Sequence, residues 1–277
     1  MGSLRRARVR FAANISILFK DAPFLERFQR AAEAGFGAVE FWWPRGEDLS
    51  RVEQAVRDAG LQVALFNFDA GDMPAGDRGL VGDPARQASF RANVPVALDL
   101  AARLGCRRLN VLVGLRQPDM ERAAQLEVAR ANVAWAADQA RASGVTVVVE
   151  AVNTFENGPY LLARTAEAAE FIRGVGRENV KLQYDVYHMQ RMEGNIVPTL
   201  RAYMSEIGHI QIADAPGRNE PGTGELNYRY VLGAIDDLGY EGWIGLEYNP
   251  SSSSEESLRW LPRVSRGGEV RAGDLRL

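Results

Sequence analysis

At 277 residues the chain suits either one α/β barrel, which routinely takes about 250 residues, or two smaller domains. Hydrophobic residues at 46% and charged residues at 25% are the balance of a globular chain and exclude collagen-like and disordered classes. A net charge of -3 offers no basic field for a nucleic-acid backbone. The longest stretch without Asp, Glu, Lys or Arg, Ala59 to Phe68, is ten residues, about half of what a membrane-spanning helix requires.

The single Cys106 cannot form an internal disulfide, and the expectation is a cytoplasmic protein with a small-molecule partner and no membrane or nucleic-acid partner; a homo-oligomer is left open. Near the start, Arg5, Arg6, Arg8 and Arg10 precede the apolar run Phe11 to Phe19, which imitates a secretory leader. Asn14 and Ser16 interrupt that run and no small-residue cleavage site follows, so the reading is a first strand.

From there β-rich runs alternate with helical stretches. Eight such runs are predicted: Val9 to Asn14, Ala38 to Phe41, Gln62 to Asn67, Arg108 to Val113, Val145 to Glu150, Val180 to Asp185, Ile207 to Ile212 and Trp243 to Glu247. Their polar or apolar ends recur roughly every 33 residues, the length of one βα unit with its loops. Asp21 and Pro23 open a helix whose stripe of Phe24, Leu25, Phe28, Ala31 and Ala32 ends at Gly35. Pro95, inside the stretch Pro84 to Leu104, predicts a kink or a restart. Glu121 to Ser143 and Thr165 to Arg173 read as helices closed by Gly144 and Gly174. The run Val145 to Val149 is the near-continuous apolar pattern of a parallel strand buried on both faces. The fold expected is therefore α/β, a single (β/α)8 TIM barrel over about residues 8–263, with residues 264–277 as a loosely held tail.

Three loops rich in Gly and Pro follow strand ends: Asp69 to Asp83, Asn153 to Pro159 and Ala213 to Glu225. In a barrel they belong to the catalytic face. Four successive runs close on a polar residue, namely Glu150, Asp185, Gln211 and Glu247. Strand ends ring the mouth of a barrel, so three carboxylates and a carboxamide would converge, and like charges that close repel unless a cation sits among them. An all-oxygen set suits a divalent Mg²⁺ or Mn²⁺. His209 shares a strand face with Gln211 and is either a core histidine or one that orients the metal site. His188, just past Asp185, is read as a substrate contact, and Asn67 and Glu156 are further candidates. Trp42 and Trp43 either floor a small pocket or simply pack.

At these residues the chain resembles the hydroxypyruvate isomerase family within the xylose-isomerase-like barrels. The resemblance runs through Phe11-Ala-Ala-Asn-Ile-Ser-Ile-Leu-Phe, Ala70-Gly-Asp-Met-Pro-Ala-Gly-Asp-Arg-Gly, Tyr184-Asp-Val-Tyr-His-Met-Gln-Arg-Met-Glu-Gly, Pro221-Gly-Thr-Gly-Glu and Gly245-Leu-Glu-Tyr, and covers about residues 8 to 262. It implies a divalent ion on Glu150, Asp185, Gln211 and Glu247, with Glu150 and Glu247 as the proton-transfer pair and His188 and Arg218 near the substrate. Related ketose 3-epimerases usually carry His where this chain has Gln211, which leans toward the isomerase branch.

The chemistry expected is proton abstraction beside a carbonyl through an enediolate, converting hydroxypyruvate to 2-hydroxy-3-oxopropanoate or acting on a 2-oxo-tetronate. The alternatives are a ketose 3-epimerase and, from another class, a sugar-binding barrel without catalysis. An endonuclease IV type of phosphodiesterase needs several His ligands, and this chain has 2 His. A substrate carboxylate would be met by Arg218 or by backbone N–H groups around Gly71 and Gly222.

Overall fold

The structure is a computed structural model that describes residues 9–277; Arg5, Arg6 and Arg8 of the leader-like stretch lie outside the described residues. Eight strands form the barrel: β1 (Val9–Asn14), β2 (Ala38–Phe41), β3 (Gln62–Asn67), β4 (Arg108–Val111), β5 (Thr146–Glu150), β6 (Val180–Asp185), β7 (Ile207–Ile212) and β8 (Trp243–Leu246). They hydrogen-bond in chain order, and β1 pairs in parallel with both β8 and β2, which closes the ring. Helices such as Glu26–Glu33, Leu49–Asp58, Gln87–Leu104, Arg122–Arg141 and Tyr228–Asp237 connect them. The strands are buried almost throughout because one face meets the helices and the other fills the barrel, which is why β5 reads as unbroken Val. Among the described residues, no helix is long and apolar enough to cross a membrane.

Three local expectations are corrected. Of the kink or restart expected at Pro95, the restart does not occur, and helix Gln87–Leu104 is one continuous element. Pro95 is on the exposed side, where water can meet the carbonyl left without its N–H, while Phe90, Val94, Ala97 and Ala101 hold the other side in the core. The helix beginning at Thr165 passes Gly174 and ends at Val175, with Gly176 as its left-handed cap at φ 64°. Gly174 serves packing instead, since a Cβ there would lie 2.8 Å from Nε of Arg130.

The segment 264–277 is not loose. A further strand, β9 (Glu269–Val270), pairs antiparallel with Val9 and Arg10 at the start of β1. β2 contacts β1 only at Ala13 and Asn14, so the first half of β1 has an open edge that β9 covers. Val270, Ala272 and Leu275 are buried, and the backbone N–H of Arg276 donates to the Trp260 carbonyl at 2.8 Å. The sequence masks this because only scattered apolar residues anchor a stretch otherwise rich in Gly and charge. Leu275→Ala is expected to lower the unfolding free energy by about 2–4 kcal/mol, the ordinary cost of truncating a buried leucine; urea titration reads it, and an unchanged midpoint would restore the loose tail.

Candidate active site

Side chains alternate along a strand, so Asn14 shares a face with Ala12, Glu40 with Ala38, Glu150 with Val148, Asp185 with Gln183 and Gln211 with His209. All of these are buried, and the polar members meet inside the barrel at its C-terminal end. Above them, Trp42, Asn67, Glu150, His188, Arg218 and Glu247 share the wall of one cavity of about 310 Å³. That volume sits at the small end for ligand sites.

Glu150, Asp185, His188 and Glu247 each offer one ligand atom, and these atoms lie within 4.8 Å of one another. Each side chain is fixed from behind. Asn110 Nδ2 and Gln183 Nε2 both donate to Glu150 Oε2 at 3.0 Å. Asp185 caps helix Val186–Met192, its Oδ1 accepting from the N–H of Tyr187 at 2.8 Å, while its buried Oδ2 has no hydrogen-bond partner. Glu247 Oε1 accepts from Asn14 Nδ2 at 3.0 Å and Trp42 Nε1 at 2.8 Å, and its Oε2 from Arg218 Nη2 at 2.6 Å.

His188 is oriented by Asn153. The Asn153 Oδ1 accepts from the N–H of Glu156, which leaves its Nδ2 to donate to His188 Nδ1 at 2.7 Å. The proton of the neutral ring therefore sits on Nε2, 3.7 Å from Glu150 Oε1 and 3.6 Å from Asp185 Oδ2. Burial, with help from Arg218, pushes the His188 pKa well below the usual range. A neutral N–H donor in this position suits a substrate oxygen better than a metal ion.

Burial and the charges of Glu247 and Asp185 raise the Glu150 pKa well above the carboxylate range. Burial pushes Asp185 up to about 7, with Arg218 opposing and Glu247 adding to the rise. Glu247 is also raised by burial, against Arg218 and the Trp42 bond. Burial works against the charge on Arg218, but Glu247, Asp185 and Glu150 outweigh it. Three carboxylates thus face one guanidinium and a neutral imidazole. The unpartnered Asp185 Oδ2 and this deficit of positive charge fit a divalent cation.

Gln211 lies beside the cluster, with Nε2 donating to Glu40 Oε1 and Oε1 accepting from Gln183 Nε2, both at 2.6 Å. Its oxygen keeps a second lone pair. Asn67 is on the cavity wall as expected. Glu156 is not: its carboxylate bonds Tyr187 Oη and lies 3.7 Å from Arg191 Nη1, because the short helix Thr154–Asn157 turns it outward. Trp42 grips Glu247, whereas Trp43 packs on Phe66 with ring centroids 6.3 Å apart. The N–H groups of Gly222 and Gly224 are consumed by Asp214 Oδ2 at 2.8 and 2.9 Å, and that of Gly71 by Asp69 Oδ1 at 2.9 Å. Neither loop is an open anion nest.

Sequence reasoning missed Glu40. It is fully buried in β2, where its carboxylate accepts from Asn14 at 3.0 Å and Gln211 at 2.6 Å and contacts His209 Nε2 at 2.6 Å. A glutamate inside a short strand is unfavourable enough to have been a signal. Room for it comes from Gly245, where a Cβ would lie 2.3 Å from either carboxylate oxygen. His209 therefore acts on the site through Glu40 and Gln211.

Known proteins resemble this chain over most of its length. The family described as "Xylose isomerase-like TIM barrel" matches residues 28–264. A 2-oxo-tetronate isomerase from Cupriavidus necator is 42% identical over 252 residues, 91% of this chain and 97% of that one. A hydroxypyruvate isomerase from Escherichia coli is 40% identical over 254 residues, covering 91% and 98%. A crystal structure from Brucella melitensis, described as an AP endonuclease of family 2, superposes with a TM-score of 0.88 at 40% identity, covering 91% of this chain and 97% of that one.

The raised carboxylates give a pH signature. The folded protein holds Asp185 protonated up to about 7 against an ordinary 3.8, whereas the unfolded chain releases that proton, so the metal-free protein loses stability as pH rises through this window. His188, whose folded pKa is lowered, favours stability as pH rises through the unfolded value near 6.5, but it does so with and without the ion and leaves the difference between the two forms unchanged. A divalent ion bound by these carboxylates, such as Mn²⁺, would replace those protons. The gain in Tm on adding Mn²⁺ should therefore grow from pH 6 to pH 8 in calorimetry, and a gain independent of pH would contradict the assignment.

Proposed function

The chain belongs to the xylose isomerase-like TIM barrel family and is an isomerase, and from that premise we propose that it moves the carbonyl of a small 2-oxo acid, hydroxypyruvate or a 2-oxo-tetronate, between neighbouring carbons. The observation that carries this reading is the pairing of Glu150 and Glu247 on the wall of one small cavity, each buried and each braced on its far side by hydrogen bonds, with burial raising both pKa values.

For hydroxypyruvate the balance is simple. One carboxylate removes a proton from C3, the double bond shifts to C2–C3, and a proton is delivered to C2. The C3 hydroxyl gives up its proton as the C2 carbonyl oxygen gains one. The product is 2-hydroxy-3-oxopropanoate. Glu247, held by Asn14, Trp42 and Arg218, is the better stabilised as an anion and serves as the base. Glu150, held by Asn110 and Gln183 on the other side of the reacting carbons, handles the second proton transfer. His188 Nε2–H donates to the substrate oxygen on which charge develops, as a neutral group that does not surrender its proton. The Arg218 backbone sits at φ 55°, a strained conformation for a side chain of this size, and its bond to Glu247 is one reason to hold it there.

A divalent ion, Mg²⁺ or Mn²⁺, would be held by Glu150, Asp185, Gln211 and Glu247, and it would supply carbonyl polarisation worth several kcal/mol toward acidifying the adjacent C–H. The four donors are oxygen and three are carboxylates, as a hard cation requires. Glu150 and Glu247 keep their proton-handling role within that set.

The test is incubation in D₂O with Mn²⁺ and, separately, hydroxypyruvate, a 2-oxo-tetronate and fructose, followed by NMR. Carbonyl migration with deuterium uptake is expected for an acid. Glu150→Gln and Glu247→Gln should each lose roughly 10²- to 10⁴-fold in turnover while folding normally, the range for a positioned acid or base. Deuterium appearing only at C3 of an inverted ketohexose, with both acids untouched, would make the protein an epimerase.

A further inference from the structure

A substrate carboxylate needs a cation at the cavity, and the residues expected to provide one are committed elsewhere. Arg218 is bonded to Glu247 at 2.6 Å and lies 3.9 Å from Asp185, so its charge is already spent on the catalytic carboxylates. The N–H groups of the Gly71 and Gly222 loops are taken by Asp69 and Asp214. A different arginine stands open. Arg78, in the loop after β3, forms part of the same cavity wall as Glu150 and Glu247, and among the described residues no carboxylate pairs with it.

Its placement is built rather than incidental. Nε donates to Asn157 Oδ1 at 3.0 Å, and Nη1 donates to the carbonyls of Met73 at 3.0 Å and Asp77 at 2.7 Å. Those three bonds use every N–H except the two on Nη2. Next in sequence, Gly79 at φ 118° presses its backbone against β4's exit, where a Cβ would lie 2.1 Å from the Leu112 carbonyl oxygen. Its N–H also donates to the Ala70 carbonyl at 3.0 Å. On the other side Asp77 Oδ2 accepts from the N–H of Asp72 at 2.7 Å and from Arg86 at 3.0 Å, and the Arg86 bond holds the Asp77 pKa below its usual value. The loop thus fixes the guanidinium by neutral carbonyl and amide acceptors, which hold it in place without cancelling its charge. Asn157 ties it onward to Asn153, whose side chain orients His188.

We propose that Arg78 is the specificity-determining residue that binds the substrate's carboxylate through Nη2, so that C2 and C3 face Glu150 and Glu247. The cavity is then divided between an acid-reading end at the β3 loop and a reacting end at the strand termini. This rests on the reading that the substrate is a 2-oxo acid, and it states which residue selects acids over neutral hydroxy-ketones. A hydrogen bond between charged groups of this kind is worth roughly one to two factors of ten in affinity.

The experiment titrates Mn²⁺-loaded wild type, Arg78→Met and Arg78→Lys with D-glycerate, an acid that cannot isomerise, and with dihydroxyacetone, in which a hydroxymethyl group replaces the carboxylate. Calorimetry should show Arg78→Met weakening glycerate roughly tenfold to a hundredfold more than dihydroxyacetone, with Arg78→Lys recovering part of the loss. In turnover of hydroxypyruvate the same loss should fall on KM more than on kcat. Equal glycerate affinity in wild type and Arg78→Met, or a loss shared equally by both ligands with no recovery in the lysine variant, would overturn the proposal. If wild type binds glycerate through Arg78 but isomerises neither acid, the proposal stands and the isomerase substrate assigned above falls.

Discussion

Repulsion among Glu150, Asp185 and Glu247 governs the arrangement around it. With ligand atoms within 4.8 Å of one another, each ionised pair costs at least about 3 kcal/mol at an effective dielectric near 20, and three pairs cost about 10 kcal/mol. A domain's whole stability is about 5–15 kcal/mol. The barrel therefore cannot hold three bare charges there. Arg218 offsets part of this, raised pKa values absorb part by retaining protons, and the remaining deficit is one a divalent cation would meet. The same burial that raises these pKa values also excludes water from the carboxylates, which makes them stronger proton acceptors once ionised.

Beneath the site, the barrel interior carries polar side chains where an apolar core would be simpler. Glu40, His209, Asn14, Gln211, Gln183 and Asn110 hydrogen-bond in a connected layer that reaches Glu150 at one end and Glu247 at the other. The layer leaves His209 Nδ1, Asn110 Oδ1 and Gln183 Oε1 buried without a protein hydrogen-bond partner, a cost set against the bonds that hold its other atoms in place. Rigidity is the return: proton transfer needs the two glutamates held to within fractions of an ångström, and apolar packing alone does not fix a carboxylate's rotation.

How much of this the sequence discloses depends on the scale of the signal. Strand ends at Glu150 and Asp185 stand out because apolar runs stop abruptly at a charge, and the recurring spacing makes them a ring. β4 ends earlier than its apolar run implies, at Val111, because Leu112 and Val113 already belong to the loop whose carbonyls Gly79 and Gly82 pack against. Glu40 leaves one signal, a glutamate inside a strand of 4 residues, but that signal fits an exposed edge position equally well until the barrel closes around it. Glu156 and Arg78 invert their expected importance for a local reason: a four-residue helix turns the first away, and three loop hydrogen bonds hold the second at the cavity. Loop side chains of this kind are placed by backbone carbonyls that no residue pattern specifies.

If the strand-end carboxylates and Gln211 form one cation site, anomalous diffraction from crystals soaked in Mn²⁺ should show a single strong peak within bonding distance of oxygens from Glu150, Asp185, Gln211 and Glu247, with His188 Nε2 outside the coordination shell. A peak elsewhere, or coordination by His188 with Gln211 still bonded only to Gln183 and Glu40, would contradict it.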